Sequence, residues 1–224
     1  KTPFSRGQHI SDAPDSLDVI SMMYPAELAA FELVDMQTVH AKGTKVVYTI
    51  SFDKIQKEYT EKVKEGTATG SFDTYLKSEM DKQIGYAGSF DGMITEYKGN
   101  NPIYMSAEQK AEAKKYQDIF FSAVLTWKTA NADKLLTFQG YPENLIEQTI
   151  LTNCKHIILA TDNVTDDAQL SVFARLAMAA AGVPTDRFVV AVSTASLDAS
   201  DKQTGFYGTD RALTEAAYWT TEPS

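Results

Sequence analysis

Several kinds of residue and motif are scarce in this sequence, and each shortage removes a class of function. There is one cysteine, Cys154, in 224 residues. A disulfide framework or a thiolate metal cluster needs more than that, so Cys154 reads as a small apolar filler ahead of a buried strand. There are three histidines, His9, His40 and His156, far apart in the chain. Their spacing is not that of a metal site, so they read as ordinary surface or core histidines and no metal is expected. Lys and Arg number 21 against 30 Asp and Glu, for a formal net charge of -9. That balance argues against a nucleic-acid partner, which needs a basic footprint, and against an anionic membrane surface. No apolar run approaches the roughly 18 residues of a transmembrane helix. There is also no GxGxxG and no P-loop: the first strand candidate runs directly into MMYPAEL. Neither a nucleotide nor any other cofactor is expected.

What is present is ordinary globular material. Hydrophobic residues are 43% and charged residues 23%, enough for one domain over residues 1–224 with a sizeable core. Short apolar runs alternate with longer helical stretches. The strand candidates are 18–23, 45–52, 89–96, 134–139, 155–161 and 187–194. Most are continuously apolar, as in a parallel sheet covered by helices. Helices are expected over 25–41, 53–65, 71–86, 106–130, 165–181 and 209–217. Pro25 and Gly43 bracket the first of these. Ser71, Ser106 and Thr165 are the expected caps of the third, fourth and fifth. The stretch EGTATGSFD, 65–73, reads as a helix–helix loop. Repeated strand–helix units define an α/β fold.

The chemistry is concentrated in FDGMITEYKG, residues 90–99. Alternation along a strand puts Ile94, Glu96 and Lys98 on one face. Gly92 permits close approach of another backbone. A carboxylate at a strand end is either an exposed cap or ion-pair partner, or a working group.

The Asp-Gly start, the acid five residues later and the flanking strands resemble glycoside hydrolase family 18, which includes chitinases and endo-β-N-acetylglucosaminidases. The family's fourth strand carries D-G-x-D-x-D-x-E. On this chain Asp91 and Gly92 match the first two positions, Ile94 stands for the second Asp, Glu96 for the third and Lys98 for the catalytic Glu. LDVISMM resembles the second strand, KGTKVVYTISF the third, and KLLTFQGYP, KHIILATDNV and RFVVAVSTAS the fifth to seventh. The resemblance covers nearly the whole chain and is greatest to endoglycosidase-type members of glycan-foraging bacteria. It implies a TIM-type (β/α)8 barrel. Strand one would lie ahead of Lys1 and strand eight past Ser224, so the barrel is expected to be incomplete at both ends in this chain unless the end assignments shift.

The resemblance also implies chemistry. In this family the final Glu protonates the leaving oxygen, the substrate's own acetamido group is the nucleophile, and the penultimate acid orients it. Lysine, with an ordinary pKa near 10.4, is a poor proton donor at neutral pH. The expected function is therefore recognition of N-acetylglucosamine-containing glycans by a barrel that has lost its acid. Glu96 is the surviving acetamide-contacting acid and Lys98 stands at the lost acid position. The alternative is an active endo-β-N-acetylglucosaminidase or chitinase whose acid comes from elsewhere, Glu96 first. A third reading is a scaffold with no sugar role. Asp91, Ser51, Gln139, Tyr141, Asp162 and Asn163 are the candidate substrate contacts. Asp162 and Asn163 equally suit a turn ahead of a helix capped by Thr165, and Gln139 and Tyr141 are open in the same way. Tyr218 and Trp219 suit core packing or stacking on a sugar. The implied partner is a glycan or glycoprotein oligosaccharide. The implied location is exported, periplasmic or on the cell surface, lipid-anchored through a removed N-terminal segment. The absence of an initiator Met fits a processed chain.

Overall fold

The computed structural model describes residues 9–221. Six strands form one sheet in chain order: β1 (Val19–Met22), β2 (Lys45–Ser51), β3 (Gly92–Tyr97), β4 (Leu135–Gly140), β5 (His156–Leu159) and β6 (Phe188–Val190). The β1–β2, β2–β3, β4–β5 and β5–β6 pairs are parallel. Helices follow the strands: α1 (Ala30–Ala41), α2 (Phe52–Lys64), α3 (Phe72–Ile84), α4 (Ala107–Ala130), α5 (Thr149–Thr152), α6 (Asp167–Ala179) and α7 (Ala212–Thr221). A parallel order that never reverses has no topological switch point. Right-handed crossovers then place every connecting helix on the same side of the sheet. This is the connectivity of a TIM-type barrel rather than of a doubly wound sheet. Among the described residues, six strands of such a barrel are present.

The chain divides into two compact units. One comprises Lys1–Glu96 and Asp118–Leu136, the other Tyr97–Gln117 and Thr137–Ser224.

In the first unit, register assigns the two faces of β1–β3. Val19 pairs with Lys45, Ser21 with Val47, Thr49 with Ile94 and Ser51 with Glu96. Cross-strand partners share a face, so Ser21, Thr49, Ser51, Ile94 and Glu96 lie together. The opposite face presents Val46, Tyr48, Ile50 and Met93, all fully buried. Tyr48 donates its hydroxyl to the Gln83 carbonyl of α3 at 2.9 Å, which identifies that face as the helix-covered one. Phe52 meets Phe72 and Phe120 edge-on at ring distances of 6.0 and 5.6 Å. Burying each such side chain contributes about 1.5–3 kcal/mol.

The second unit repeats the scheme. Phe138, Ile157 and Leu159 are buried on one face of β4–β5, and Thr137, Gln139, His156 and Ile158 share the other. Cys154 is buried as a filler, its thiol donating to the Ile150 carbonyl. A second cluster gathers Val164, Leu170, Tyr207 and Ala212, with Phe173, Val190, Val192 and Trp219 packed on it.

Several boundaries differ from the sequence reading. The first helix does not run from Pro25. A 3-10 turn covers Pro25–Glu27, Leu28 and Ala29 are extended, and α1 starts where Glu32 accepts the Ala29 N–H at 2.7 Å. Asp166, not Thr165, caps α6 and accepts the Gln169 N–H at 2.7 Å. Strand β6 stops at Val190, short of 194. Beyond it the Thr161 hydroxyl occupies both the N–H and the C=O of Ala191, which replaces the next rung. The expected helix over 209–217 begins instead at Ala212, because Phe206–Tyr207 and Asp210–Arg211 form an antiparallel ribbon, β7–β8.

Gly92 is dictated by packing. A Cβ there would lie 2.0 Å from the Leu135 carbonyl oxygen. Gly92→Ala is expected to destabilise the protein by about 3 kcal/mol, since backbone rather than a flexible side chain must give way. Urea unfolding of the variant beside the native chain measures this.

Candidate functional site

The C-terminal ends of parallel strands are where barrel proteins collect binding groups. In the first unit that end holds Ser51 and Glu96. They are register partners on the face opposite the helices, and Glu96 is half-buried at the last full rung of β3. Ser51 does not offer its hydroxyl outward. It is buried, and as the N-cap of α2 it accepts the Lys54 N–H at 3.3 Å. Ile94 is buried on the same face, where the family motif would hold an acid.

Asp91 lies at the other end of β3. Its Oδ2 accepts the Val46 N–H at 2.7 Å and meets His40 Nε2 at 2.6 Å. Its own N–H donates to the Val46 carbonyl, and its carbonyl accepts from Leu135 N–H, both at 2.8 Å. Five residues of extended chain, roughly 16 Å, separate it from Glu96. Asp91 thus ties the start of β3 to β2 and to the end of α1.

In the second unit, β3 ends at Tyr97, so Lys98 is the first residue past the strand rather than part of its alternation. Lys98 is half-buried, and its carbonyl accepts Asn144 Nδ2 at 2.7 Å. Asn144 Nδ2 also reaches the Gly99 carbonyl at 3.1 Å. Gln117 braces the same loop. Its Nε2 donates to the Tyr97 hydroxyl at 2.9 Å and to the Asn144 carbonyl at 3.2 Å, and its Oε1 accepts the Ile146 N–H at 2.9 Å. Tyr141 N–H donates to the Tyr97 carbonyl at 3.3 Å. The loop after β4 is thereby fastened along the main chain of 97–99.

The remaining candidates fare unequally. Gln139 is half-buried on the face opposite the helices. The Tyr141 ring stacks on Phe173 of α6 at 5.8 Å and 16°, so one of its faces is already occupied. Asp162 and Asn163 form a turn, Asp162 half-buried with its carbonyl accepting the Ser193 hydroxyl at 2.5 Å, Asn163 exposed. Trp219 belongs to packing, its indole N–H donating to Ser171 Oγ at 3.1 Å.

One acid was not singled out from the sequence. Glu143 sits in the 3-10 turn Pro142–Asn144 that directly follows β4 and Tyr141. Its Oε2 is buried without a hydrogen-bond partner. Burial pushes its carboxyl above the ordinary carboxylate range, offset in part by its own backbone N–H. No pattern in YPENL separates such an acid from an exposed one. A groove of about 670 Å³ lies elsewhere, lined by Lys77, Asp81 and Ile84 of α3 and by Asp118 and Trp127 of α4; it has no strand-end residue. Among the described residues no group of three or more His, Cys, Asp or Glu is placed to hold a metal ion, and no helix is long and apolar enough to cross a membrane.

The sequential parallel strands, alternating with helices, are those of a TIM-type barrel. The chain belongs to glycoside hydrolase family 18: the model for "Glycoside hydrolase family 18, BT1044-like" matches residues 1–223. Among solved structures, it is similar to an apo endo-β-N-acetylglucosaminidase from Cordyceps militaris, at 14% identity and a TM-score of 0.62, over 96% of this chain and 70% of that one. The glycoside hydrolase domain of PelA from Pseudomonas aeruginosa aligns at 11% identity and a TM-score of 0.41, over 74% of this chain and 67% of that one. The comparison with curated proteins gave no match.

Two outcomes follow from this geometry. Asp91→Ala is expected to cost about 2 kcal/mol of stability, because it removes bonds to a charged acceptor and strands the Val46 N–H; denaturant unfolding reads it. For Glu143 the raised pKa means that the folded chain favours the protonated form. As pH rises through the ordinary carboxylate value the unfolded chain ionises first, so Glu143 costs stability there, and below it costs nothing. Glu143→Gln is expected to raise the melting temperature at pH 7, with the gain vanishing by about pH 4.

Proposed function

We propose that this chain recognises N-acetylglucosamine-containing glycans at the C-terminal ends of its strands, in a site whose proton-donor position no longer holds an acid. The observation that carries this reading is Lys98. The chain belongs to the family, Asp91 and Gly92 hold the start of β3, and on the motif resemblance Lys98 takes the place of the catalytic glutamate. Glu96 remains as a half-buried acid at the end of the strand, suited to accept a hydrogen bond from an acetamide N–H. Losing a general acid costs on the order of 10²–10⁴ in rate. What persists is then a binding site. An exported location, periplasmic or at the cell surface and lipid-anchored, belongs to the same proposal and rests on the family resemblance.

One observation favours a second reading. Glu143 is an acid held toward its protonated form, on a loop fastened by Asn144 to the carbonyl of Lys98. An active endoglycosidase that draws its proton from the loop after β4 would use Glu143 rather than Glu96.

Mass spectrometry of a high-mannose glycoprotein separates the two. Under the first reading the native chain releases no glycan, and Lys98→Glu gains release by on the order of 10²-fold over background. Release by the native chain that is lost in Glu143→Gln would overturn the first reading and establish the second.

A further inference from the structure

The groove lined by α3 and α4 lies wholly within the first unit. Its volume of about 670 Å³ is in the range of protein binding clefts. The α4 wall runs from Asp118 to Asn131, about 20 Å of helix at roughly 1.5 Å per residue. Along it Ile119, Ala123 and Trp127 recur at every fourth residue and so form one apolar row. Ile119 and Ala123 are half-buried, and Trp127 shows 8% of its surface. Ile84 adds apolar surface from α3.

Polar side chains of the α4 wall are turned to their own main chain. The Ser122 hydroxyl donates to the Asp118 carbonyl, Thr126 Oγ1 to the Ser122 carbonyl at 2.8 Å, and Asn131 Nδ2 to the Trp127 carbonyl at 2.8 Å. Bonds of this kind spend donors inside the helix, so this wall offers a partner chiefly its apolar row. The α3 wall is different. It carries Lys77 and Asp81, both exposed and one turn apart. Among the described residues neither has an ion-pair or hydrogen-bond partner, although opposite charges at this spacing can pair. On the same α2–α3 surface, Lys64–Glu61 and Lys82–Glu79 are closed pairs at 3.0 and 3.2 Å. The groove thus joins an apolar floor to a free ammonium and a free carboxylate.

We propose that this groove is the docking site for an amphipathic helix of another polypeptide. The partner's apolar stripe seats on Ile119, Ala123 and Trp127, while an acidic and a basic side chain one turn apart on its flank meet Lys77 and Asp81. Helix-in-groove recognition needs an apolar channel a few turns long, which α4 supplies. An indole at the floor is a common anchor of such contacts. The charges select the partner further. A nucleic acid or an anionic lipid surface would leave Asp81 opposed by like charge. A helix places opposite charges at i and i+4, the spacing of Lys77 and Asp81 themselves. None of these residues is at a strand end, so the inference stands apart from the glycan reading.

The test is fluorescence-anisotropy titration of the full chain with labelled helical peptides of about 14 residues, matched to the groove's length. All share one leucine stripe and differ only at two flank positions, i and i+4, which hold Glu and Lys, Lys and Lys, or Glu and Glu. The native chain is expected to bind the Glu/Lys peptide about three- to ten-fold more tightly than either other. Asp81→Lys, which leaves two cations on the α3 wall, is expected to move the preference to the Glu/Glu peptide by a similar factor. Ala123→Arg, which fills the channel, is expected to weaken all three by about ten-fold. An unchanged melting temperature is the folding control, and the exposed Asp81 keeps the charge swap decisive if Ala123→Arg destabilises the chain. Tightest binding of the Lys/Lys peptide by both the native chain and Asp81→Lys would overturn the proposal, marking general attraction to a chain of net charge -9. So would the lack of saturable binding below about 1 mM. Sedimentation of the native chain alone adds one more outcome: a dimer dispersed by Ala123→Arg would give the groove to a second copy and overturn the proposal as well.

Discussion

The Asp91 carboxylate holds the start of the sheet together. The Asp91 N–H donates to the Val46 carbonyl of β2 and its own carbonyl accepts the N–H of the first residue of β4, while Oδ2 accepts the N–H of the same Val46 and meets the histidine at the end of α1. That arrangement sets where β3 begins relative to its neighbour. Because side chains alternate along a strand, a slip of one residue would send every side chain to the opposite face. Met93 would then leave the helix-covered core, and Glu96 would enter it. The acid at the top of β3 is in place because the acid at the bottom fixes the count between them. Gly92 adds the complementary constraint, admitting only a residue without a Cβ beside Leu135.

This division explains the form of the degenerate motif. Its first two residues, Asp91 and Gly92, do structural work, and the chain still has them. Ile94, Glu96 and Lys98 stand where the family pattern has Asp, Asp and Glu. Ile94 is buried, and at this position an aliphatic side chain avoids the cost of burying an acid.

Much of this was legible before any coordinates. The six strands and their order follow from continuous apolar runs and helix-length spacing. Function at particular side chains was less legible, because it depends on what each hydroxyl, ring or carboxylate meets. The Ser51 hydroxyl accepts the Lys54 N–H at the start of α2, and the Tyr141 ring stacks on Phe173, neither of which the sequence announces. Asp91 sits in the motif, but its bonds to β2 and His40 depend on neighbours far away in the chain. Glu143 was passed over because burial of one oxygen is a tertiary property that YPENL does not announce. The β7–β8 ribbon escaped because two-residue strands carry no periodicity.

The clamp around Gln117 and Asn144 bears on how such a protein changes over time. Every tie it makes to residues 98 and 99 goes to a carbonyl oxygen, which all amino acids possess. The main chain at position 98 is thus held without reference to the side chain there. A glutamate or a lysine is accommodated by the same brace.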